Sequence, residues 1–165
     1  MAFSNLKDLY IDQLQDLYSA DKQAAEMTRQ LRDAAKNESL RTALDRGVKG
    51  IEEGLDILST ILEAHDADPT AEFCKGMQGL VREAEAHAIR ADIADPDVRD
   101  ASIITQYQRM THYGIAGYGC VAAFARRLGL RAEADKLEKC LEETRSGDTA
   151  LTHLAEGEIN EAALA

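Results

Sequence analysis

Proline, cysteine and long uncharged runs are scarce in this chain, and each scarcity excludes a class of protein. The 165 residues include two prolines and three cysteines. No stretch approaches the roughly 18 uncharged apolar residues that a membrane-spanning helix needs. Residues 1–13 lack the basic region and apolar run of a secretory signal peptide. Because the cysteines are odd in number, scattered and without a CxxC pair, we expect reduced thiols in a cytoplasmic protein.

Positive charge is also in short supply. Lys and Arg total 19 against 30 Asp and Glu, which gives a formal net charge of −11. Such a surface repels nucleic acids and anionic membranes. The one small basic cluster, Arg126, Arg127 and Arg131, has no interleaved aromatic residues. We therefore expect neither a nucleic-acid partner nor a membrane partner.

What remains is the composition of a single helical domain, residues 1–165. Apolar residues make up 45% of the chain, which suffices for one hydrophobic core. Pro69 and Pro96 each close a long stretch rich in Ala, Leu, Glu, Lys and Arg, and no run of alternating β-branched residues occurs. Apolar residues recur at spacings of three and four, as on one helix face. The sequence predicts five helices, over about 4–36, 38–65, 71–91, 97–128 and 131–158.

The lengths of these helices predict how they pack. Four of them reach about 40–50 Å at 1.5 Å per residue, a length that favours near-antiparallel packing in a four-helix bundle. Short turns join the first pair and the last pair, with Asn37 and Gly129 at their helix ends. The short third helix then serves as a crossover. We predict an all-α, ferritin-like four-helix bundle of two antiparallel hairpins.

Two aspartates interrupt the apolar stripes of the long helices. Asp21 falls within the stripe of the first helix, and Asp148 falls between Leu141 and Leu151 in the last. Both carboxylates are therefore expected to point toward the bundle interior. A buried carboxylate is unfavourable unless it is paired, protonated or bound to a metal. A polar partner near an open end of the bundle and a metal ion both remain possible from spacing alone.

Glycines in helix interiors are a second irregularity. Each costs about 1 kcal/mol relative to alanine, so the six together cost about 6 kcal/mol, a large share of a typical stability of about 5–15 kcal/mol. They either allow helices to approach closely or leave space where larger side chains would stand. The second and fourth helices carry Gly47, Gly50, Gly54, Gly114, Gly117 and Gly119.

Five stretches together point to a known group. They are DLYSADKQ at 16–23, CKGMQGL at 74–80, VRDA at 98–101, HYGIAGYG at 112–119, and LEET at 141–144 followed by Asp148. With them, the chain from about residue 6 to 156 resembles the YciF/YciE family of bacterial stress-associated, ferritin-like proteins. The resemblance implies a ferritin-like bundle, and the broader group implies iron or manganese enzymes of the oxidase or peroxidase type.

The resemblance also implies which residues would hold a di-metal centre, and most have been replaced here. Relatives usually carry Glu or another ligand at the positions of Asp21, Gly50, Gly54, Gly114, Thr144 and Asp148. Only Asp21 and Asp148 keep a carboxylate, whereas iron and manganese need about five to six ligands, mostly oxygens. We predict no bound cofactor and no metal, with iron or manganese as the alternative. A single-metal site in which Glu53 joins Asp21 and Asp148 stays open.

No residue presents itself as catalytic. His112 is expected to face away from the lost site, Cys120 to be a packed thiol, and Cys74, beside Lys75, to be packed or reactive. We predict a non-enzymatic, stress-associated protein that acts as a homodimeric scaffold or binds an unknown protein partner. The first alternative is an iron- or manganese-dependent oxidase or peroxidase. The second is a binder of a small ligand in the glycine-lined interior.

Overall fold

A computed structural model describes residues 3–164, and no strand occurs among them. A π-helical turn, Glu85–Ile89, prolongs the third helix, and another, Ala155–Ile159, prolongs the fifth into the short helix Asn160–Ala162. Within the described residues the main helices are α1 (Leu6–Ala34), α2 (Glu38–Ala64), α3 (Lys75–Ala84), α4 (Pro96–Arg127) and α5 (Arg131–Leu154).

Side-chain caps explain where the long helices begin. The Asn5 side chain accepts a hydrogen bond from a first-turn amide of α1, and Asn37 does the same for α2. Asp95 caps α4, whose first residue is Pro96, which lacks the N–H that would otherwise need a partner. After α4, Gly129 adopts a φ of 79°, a left-handed conformation that suits glycine and turns the chain into α5.

The two hairpins pack side by side as a ferritin-like four-helix bundle. α1 pairs with α2 and α4 pairs with α5, while α1 also meets α4 and α2 also meets α5. The crossover helix α3 packs across α1 and α4. The predicted all-α fold with a short crossover helix is confirmed. α3 therefore covers the side of the bundle formed by α1 and α4 and leaves the side formed by α2 and α5 uncovered.

Three helices differ from the predicted boundaries by two residues or more. α1 spans 6–34 rather than 4–36, because Asn5 caps its start and Ala35 is extended at its end. α3 begins at Lys75 rather than Ala71, because Cys74 is extended and its Sγ accepts the Met77 N–H at 3.3 Å. The last helical segment runs on through its π turn to Ala162 rather than stopping at 158. In each case a local cap or turn overrides the apolar periodicity.

The apolar side chains form two buried clusters, one toward each end of the bundle. Tyr10 and Leu137 belong to the first, and Leu31 and Ile103 to the second. The α1 residues of the two clusters divide near Asp21, which belongs to neither. Among residues 3–164, no helix combines the length and the apolar character needed to cross a bilayer.

Candidate functional site

A cavity of about 370 Å³ lies between the four long helices at the level of Asp21, and we call it the central cavity. Its floor comes from α1 and α4, and its mouth opens between α2 and α5, where the lining residues are exposed. The floor includes Asp21, Ala24, Met110 and Tyr118. The mouth includes Arg46, Lys49, Glu53, Glu143 and Gly147.

Asp21 is a buried carboxyl at the floor of the central cavity and is only 5% exposed. Among the described residues its hydrogen-bond partner is Tyr118, whose hydroxyl donates to Oδ2 at 2.6 Å. Burial raises the pKa of Asp21 to about 7, and the hydrogen bond from Tyr118 acts in the opposite direction. Burial and the nearby carboxylate together raise the pKa of Tyr118 well above its usual value. The carboxyl therefore lacks the basic partner that would compensate an ionised form.

Two of the helix glycines make room for tyrosines. A Cβ built on Gly54 would collide with the hydroxyl of Tyr118, and a Cβ on Gly47 would collide with the hydroxyl of Tyr107. Any larger residue at Gly54 would therefore displace the phenol that holds Asp21. At Gly47 and Gly54 the glycines therefore allow close packing, which is one of the two explanations that the sequence left open.

Two other glycines border open space instead. A Cβ built on Gly50 or Gly114 meets no atom within 4 Å, and both residues line the central cavity. Gly117, by contrast, lies against the Leu17 side chain, which a Cβ would approach to 2.7 Å. Close packing and a void are thus both present in one molecule, at different glycines.

The expectation that Asp148 points into the bundle interior is wrong. Asp148 does not line the central cavity, and its Oδ2 lies 3.1 Å from Nε2 of His112. Its Oδ1 accepts a hydrogen bond from Nε2 of Gln108 at 3.1 Å. His112 is exposed, as predicted, and faces α5 at the outer edge of the α4–α5 contact.

The position of Cys140 explains this error. Cys140 is buried and lines the central cavity, whereas Leu141 is only partly buried. Successive helix residues are about 100° apart, so an inward face centred on Cys140 rather than Leu141 turns Asp148 toward α4. The sequence-based prediction assigned the buried face of α5 from its leucines, and this placed Asp148 on that face.

The residues around the central cavity do not fit a di-metal centre. Gly50 and Gly114 offer no ligand atom, and the Thr144 hydroxyl donates to the carbonyl of Cys140 at 2.7 Å. Glu53 is exposed at the mouth, so Asp21 is the single carboxylate at the floor. Within residues 3–164, no three His, Cys, Asp or Glu side chains are grouped so that they could hold a metal ion.

The stretches that carry the family resemblance hold the crossover in place. The Tyr113 hydroxyl lies 3.0 Å from Sγ of Cys74 and donates to Asp16 at 3.2 Å. The Cys74 amide donates to Ser19 at 3.0 Å, and the Gln23 side chain donates to the Cys74 carbonyl at 3.0 Å. Residues from three of the five matching stretches thus tie the start of α3 to α1 and α4.

The thiols differ from one another in exposure. Cys74 and Cys140 are buried, and burial raises the pKa of both, that of Cys140 to about 11. A raised pKa disfavours the thiolate, so a reactive Cys74 is not supported. Cys120 is exposed, which corrects the expectation that it packs in the core.

A fourth matching stretch supplies two structural residues that the sequence did not single out. Arg99 donates to backbone carbonyls of Ala88 and Ile93, among others, at the end of the crossover. Asp100 is fully buried, and its two oxygens accept the backbone N–H groups of Lys36 and Asn37, each at 2.8 Å. Asp100 therefore joins α4 to the α1–α2 turn.

A polar cluster at the opposite end of the bundle was also missed. Glu133 accepts a hydrogen bond from the Tyr10 hydroxyl at 2.8 Å and lies 3.1 Å from Nε2 of His65. Burial and the neighbouring carboxylate raise the pKa of Tyr10. These residues are far apart in sequence, and Asp68, three residues after His65 in the chain, gave no indication of the partner.

Comparison with known proteins identifies the family of this fold. The family described as "Domain of unknown function (DUF892)" matches residues 5–164. The chain belongs to the DUF892 family. Protein YciF of Escherichia coli K12 is 32% identical over 164 residues, which cover 99% of this chain and 98% of YciF. The DUF892 match and this identity confirm the resemblance to YciF that the five stretches indicated.

Two solved structures resemble this DUF892 chain along nearly its whole length. The crystal structure of the E. coli stress protein YciF matches with a TM-score of 0.89 at 32% identity, over 96% of this chain and 99% of the other. YcfI from Rhodopseudomonas palustris matches with a TM-score of 0.84 at 28% identity, over 92% and 98% of the two chains. The bundle and its crossover are therefore features shared with these relatives.

Proposed function

We propose that this DUF892 protein is a non-catalytic, stress-associated helical scaffold that does not assemble a di-metal centre. One observation carries the proposal. At the buried floor of the central cavity Asp21 is the single carboxylate, and its Oδ2 accepts the Tyr118 hydroxyl. Gly50 and Gly114, where relatives are expected to carry ligands, offer no ligand atom, and the other carboxylates that line the cavity are exposed at its mouth. A centre of two hard cations needs several anionic oxygens, which this arrangement does not supply.

The relatives support the same proposal. YciF is named a stress protein, and YcfI is described as "a putative structural protein". The hydrogen bonds among the matching stretches fix the crossover and the helix ends rather than exposing a reactive group. A structural role in the bacterial cytoplasm agrees with both observations, and the three free cysteines agree with a reducing compartment.

We further propose that the scaffold works as a homodimer. Phe73 is 54% exposed, and it borders a groove with Tyr18, Met27 and Val81 beside α1. Exposed aromatic residues in a groove favour protein contact. Sedimentation velocity over a range of concentrations should show a dimer that Phe73→Ser weakens, whereas the matched variant Val98→Ser, also at an exposed apolar residue, should leave it intact. A monomer at every concentration would contradict the dimer.

The metal question is tested by measuring bound metal directly. Protein purified without chelator is exposed to excess iron(II) or manganese(II), desalted and analysed by mass spectrometry for metal per chain. We expect almost none. Two metal ions per chain would overturn the proposal and restore an oxidase or peroxidase as the leading candidate.

A rebuilt variant provides the positive control. Gly50→Glu, Gly114→Glu and Thr144→Glu, combined with Asp21→Glu, place four carboxylates around the central cavity, where Gly50 and Gly114 have the space. The rebuilt variant should retain metal under the same treatment. If native protein and rebuilt variant retain equal metal, the ligand argument is wrong.

A further inference from the structure

Most of the hydroxyl groups that line the central cavity donate their hydrogen to an acceptor within the protein. The hydroxyls of Thr28, Thr111 and Thr144 donate to helix carbonyl oxygens at 2.7, 3.0 and 2.7 Å. All three residues line the central cavity. A hydroxyl has one hydrogen, so these three have only oxygen lone pairs left for a ligand. The Tyr118 hydroxyl likewise donates to Asp21.

Asp21 adds the strongest acceptor at the floor. One of its oxygens accepts the Tyr118 hydroxyl, and the other accepts no hydrogen bond from any described residue. The side chain is buried, lines the central cavity, and has no basic group bonded to it. This second oxygen is not enclosed, because every enclosed side-chain oxygen or nitrogen of the described residues has a hydrogen-bond partner. It is therefore open to an N–H group of a ligand that enters the central cavity.

The remaining walls are apolar. They include Ala24, Ala43, Ile51, Met110 and Leu151. A volume of about 370 Å³ lies in the range of sites that hold small organic molecules. The walls therefore suit a hydrocarbon body, and the floor suits its polar end.

The mouth does not select by charge. Arg46 and Lys49 are matched in number by Glu53 and Glu143, and all four are exposed. The floor of the central cavity therefore determines which ligand binds. The net charge of −11 favours the approach of cations from a distance.

We propose that the central cavity binds a small organic amine, with its ammonium group on Asp21 and its apolar body against Met110 and Leu151. An ammonium carries three donors and no acceptor, which complements a floor of acceptors. It also supplies the counter-charge that Asp21 lacks. Neutral alcohols and carboxylates of the same length bring an acceptor where acceptors already dominate.

This inference goes beyond the scaffold role and can fail separately from it. Metal retention by the native chain would overturn the scaffold proposal, whereas the amine proposal is decided by organic probes on metal-free protein. A protein that binds neither metal nor amine remains a scaffold. The two experiments therefore give distinguishable failures.

The probes are n-hexylamine, 1-hexanol and hexanoate, titrated into the full chain and followed by ligand-observed NMR and calorimetry. We expect n-hexylamine to bind at least tenfold more tightly than the other two. Asp21→Asn keeps an oxygen for Tyr118 but removes the charge, and it should weaken n-hexylamine about 10- to 100-fold. Equal binding of the amine and the alcohol would overturn the proposal.

Two glycine variants separate the cavity from the acidic surface. Gly114→Leu fills the central cavity and should abolish n-hexylamine binding, because Gly114 is buried, lines the cavity and leaves a Cβ with no atom within 4 Å. Gly79→Leu, on exposed α3 and likewise unobstructed, is the matched control and should leave binding unchanged. Binding that survives Gly114→Leu would show that the amine sits on the surface, and the proposal would be wrong. Circular dichroism verifies that both variants fold.

Discussion

Asp21 and Asp100 are both buried, yet they lie in opposite chemical surroundings. Asp100 lies at one end of the bundle, and each of its oxygens accepts a backbone N–H from the α1–α2 turn. Asp21 lies halfway along α1, accepts one phenol hydrogen and borders a cavity. The first carboxylate satisfies two amides that would otherwise be unpaired, and the second keeps an oxygen without a donor.

This difference indicates that Asp100 has a structural role and that Asp21 does not. Burying a carboxylate costs little free energy where it accepts hydrogen bonds from backbone N–H groups that would otherwise bind water, as at a helix N-terminus. Asp21 has no such compensation, and its pKa of about 7 reflects the unfavourable burial of charge. The two residues are therefore expected to respond to substitution with opposite signs.

The largest effect is expected at Asp100. In Asp100→Asn one oxygen can still accept, but the amide NH₂ faces the N–H of Lys36 or Asn37, and one buried donor loses its partner. We expect a loss of about 2–4 kcal/mol in the free energy of unfolding, measured by urea denaturation, because a hydrogen bond to a charged group is lost and a buried donor is left unpaired.

The neighbouring acid Asp97 is the matched control for Asp100. It pairs with Lys36 at 2.9 Å near the surface, where such ion pairs contribute less than about 1 kcal/mol. Asp97→Asn should therefore change stability little. Equal losses for both variants would show that burial of Asp100 does not decide its contribution.

At Asp21 we expect a gain, and it should depend on pH. The folded pKa of about 7 lies above the ordinary 3.8, so the folded state binds more protons between these values and stability falls as pH rises through them. Asp21→Asn removes this dependence. The stability advantage of the variant over the native protein should therefore be about 2–3 kcal/mol larger at pH 8 than at pH 5. Urea denaturation at the two pH values measures this, and a pH-independent difference would contradict the assignment.

The same comparison extends to Gly54, which gives Tyr118 its room. Gly54→Ala places a Cβ against the phenol hydroxyl and should destabilise the protein by about 1–2 kcal/mol, despite the higher helix propensity of alanine. Tyr118→Phe removes the clashing oxygen, so the double variant should recover part of that loss. Thermal unfolding of the four proteins forms a double-mutant cycle, and strict additivity would show that the two residues do not interact.

The architecture could be predicted from the sequence because its signals are local. The caps at Asn37 and Asp95, the proline at Pro96 and the glycine at Gly129 act within one turn of where they stand. Helix length then leaves few ways to pack, and the ferritin-like bundle follows. Asp21 could be identified in the same way, since the apolar stripe of α1 is strong and unambiguous.

The rest of the site could not be predicted because it depends on contacts between helices. The inward face of α5 is marked by Cys140, Thr144 and Gly147, which periodicity cannot distinguish from surface residues, and Asp148 was misplaced as a result. The partners of His65 and Asp100 lie more than sixty residues away in the chain. Spacing along one helix carries no information about such partners.

The smallest effect is expected where a glycine borders only space. Gly114 is in the middle of α4, and a Cβ there meets no atom within 4 Å. Gly114→Ala should therefore raise the free energy of unfolding by about 0.5–1 kcal/mol, because helix propensity improves and nothing is displaced. Thermal unfolding measures the gain, and Gly117→Ala, which meets Leu17 at 2.7 Å, is the matched control that should gain less or lose. If Gly114→Ala destabilises the protein, the central cavity is closed around α4. The proposals that a metal ligand is missing at Gly114 and that an amine binds above Asp21 would then both be wrong.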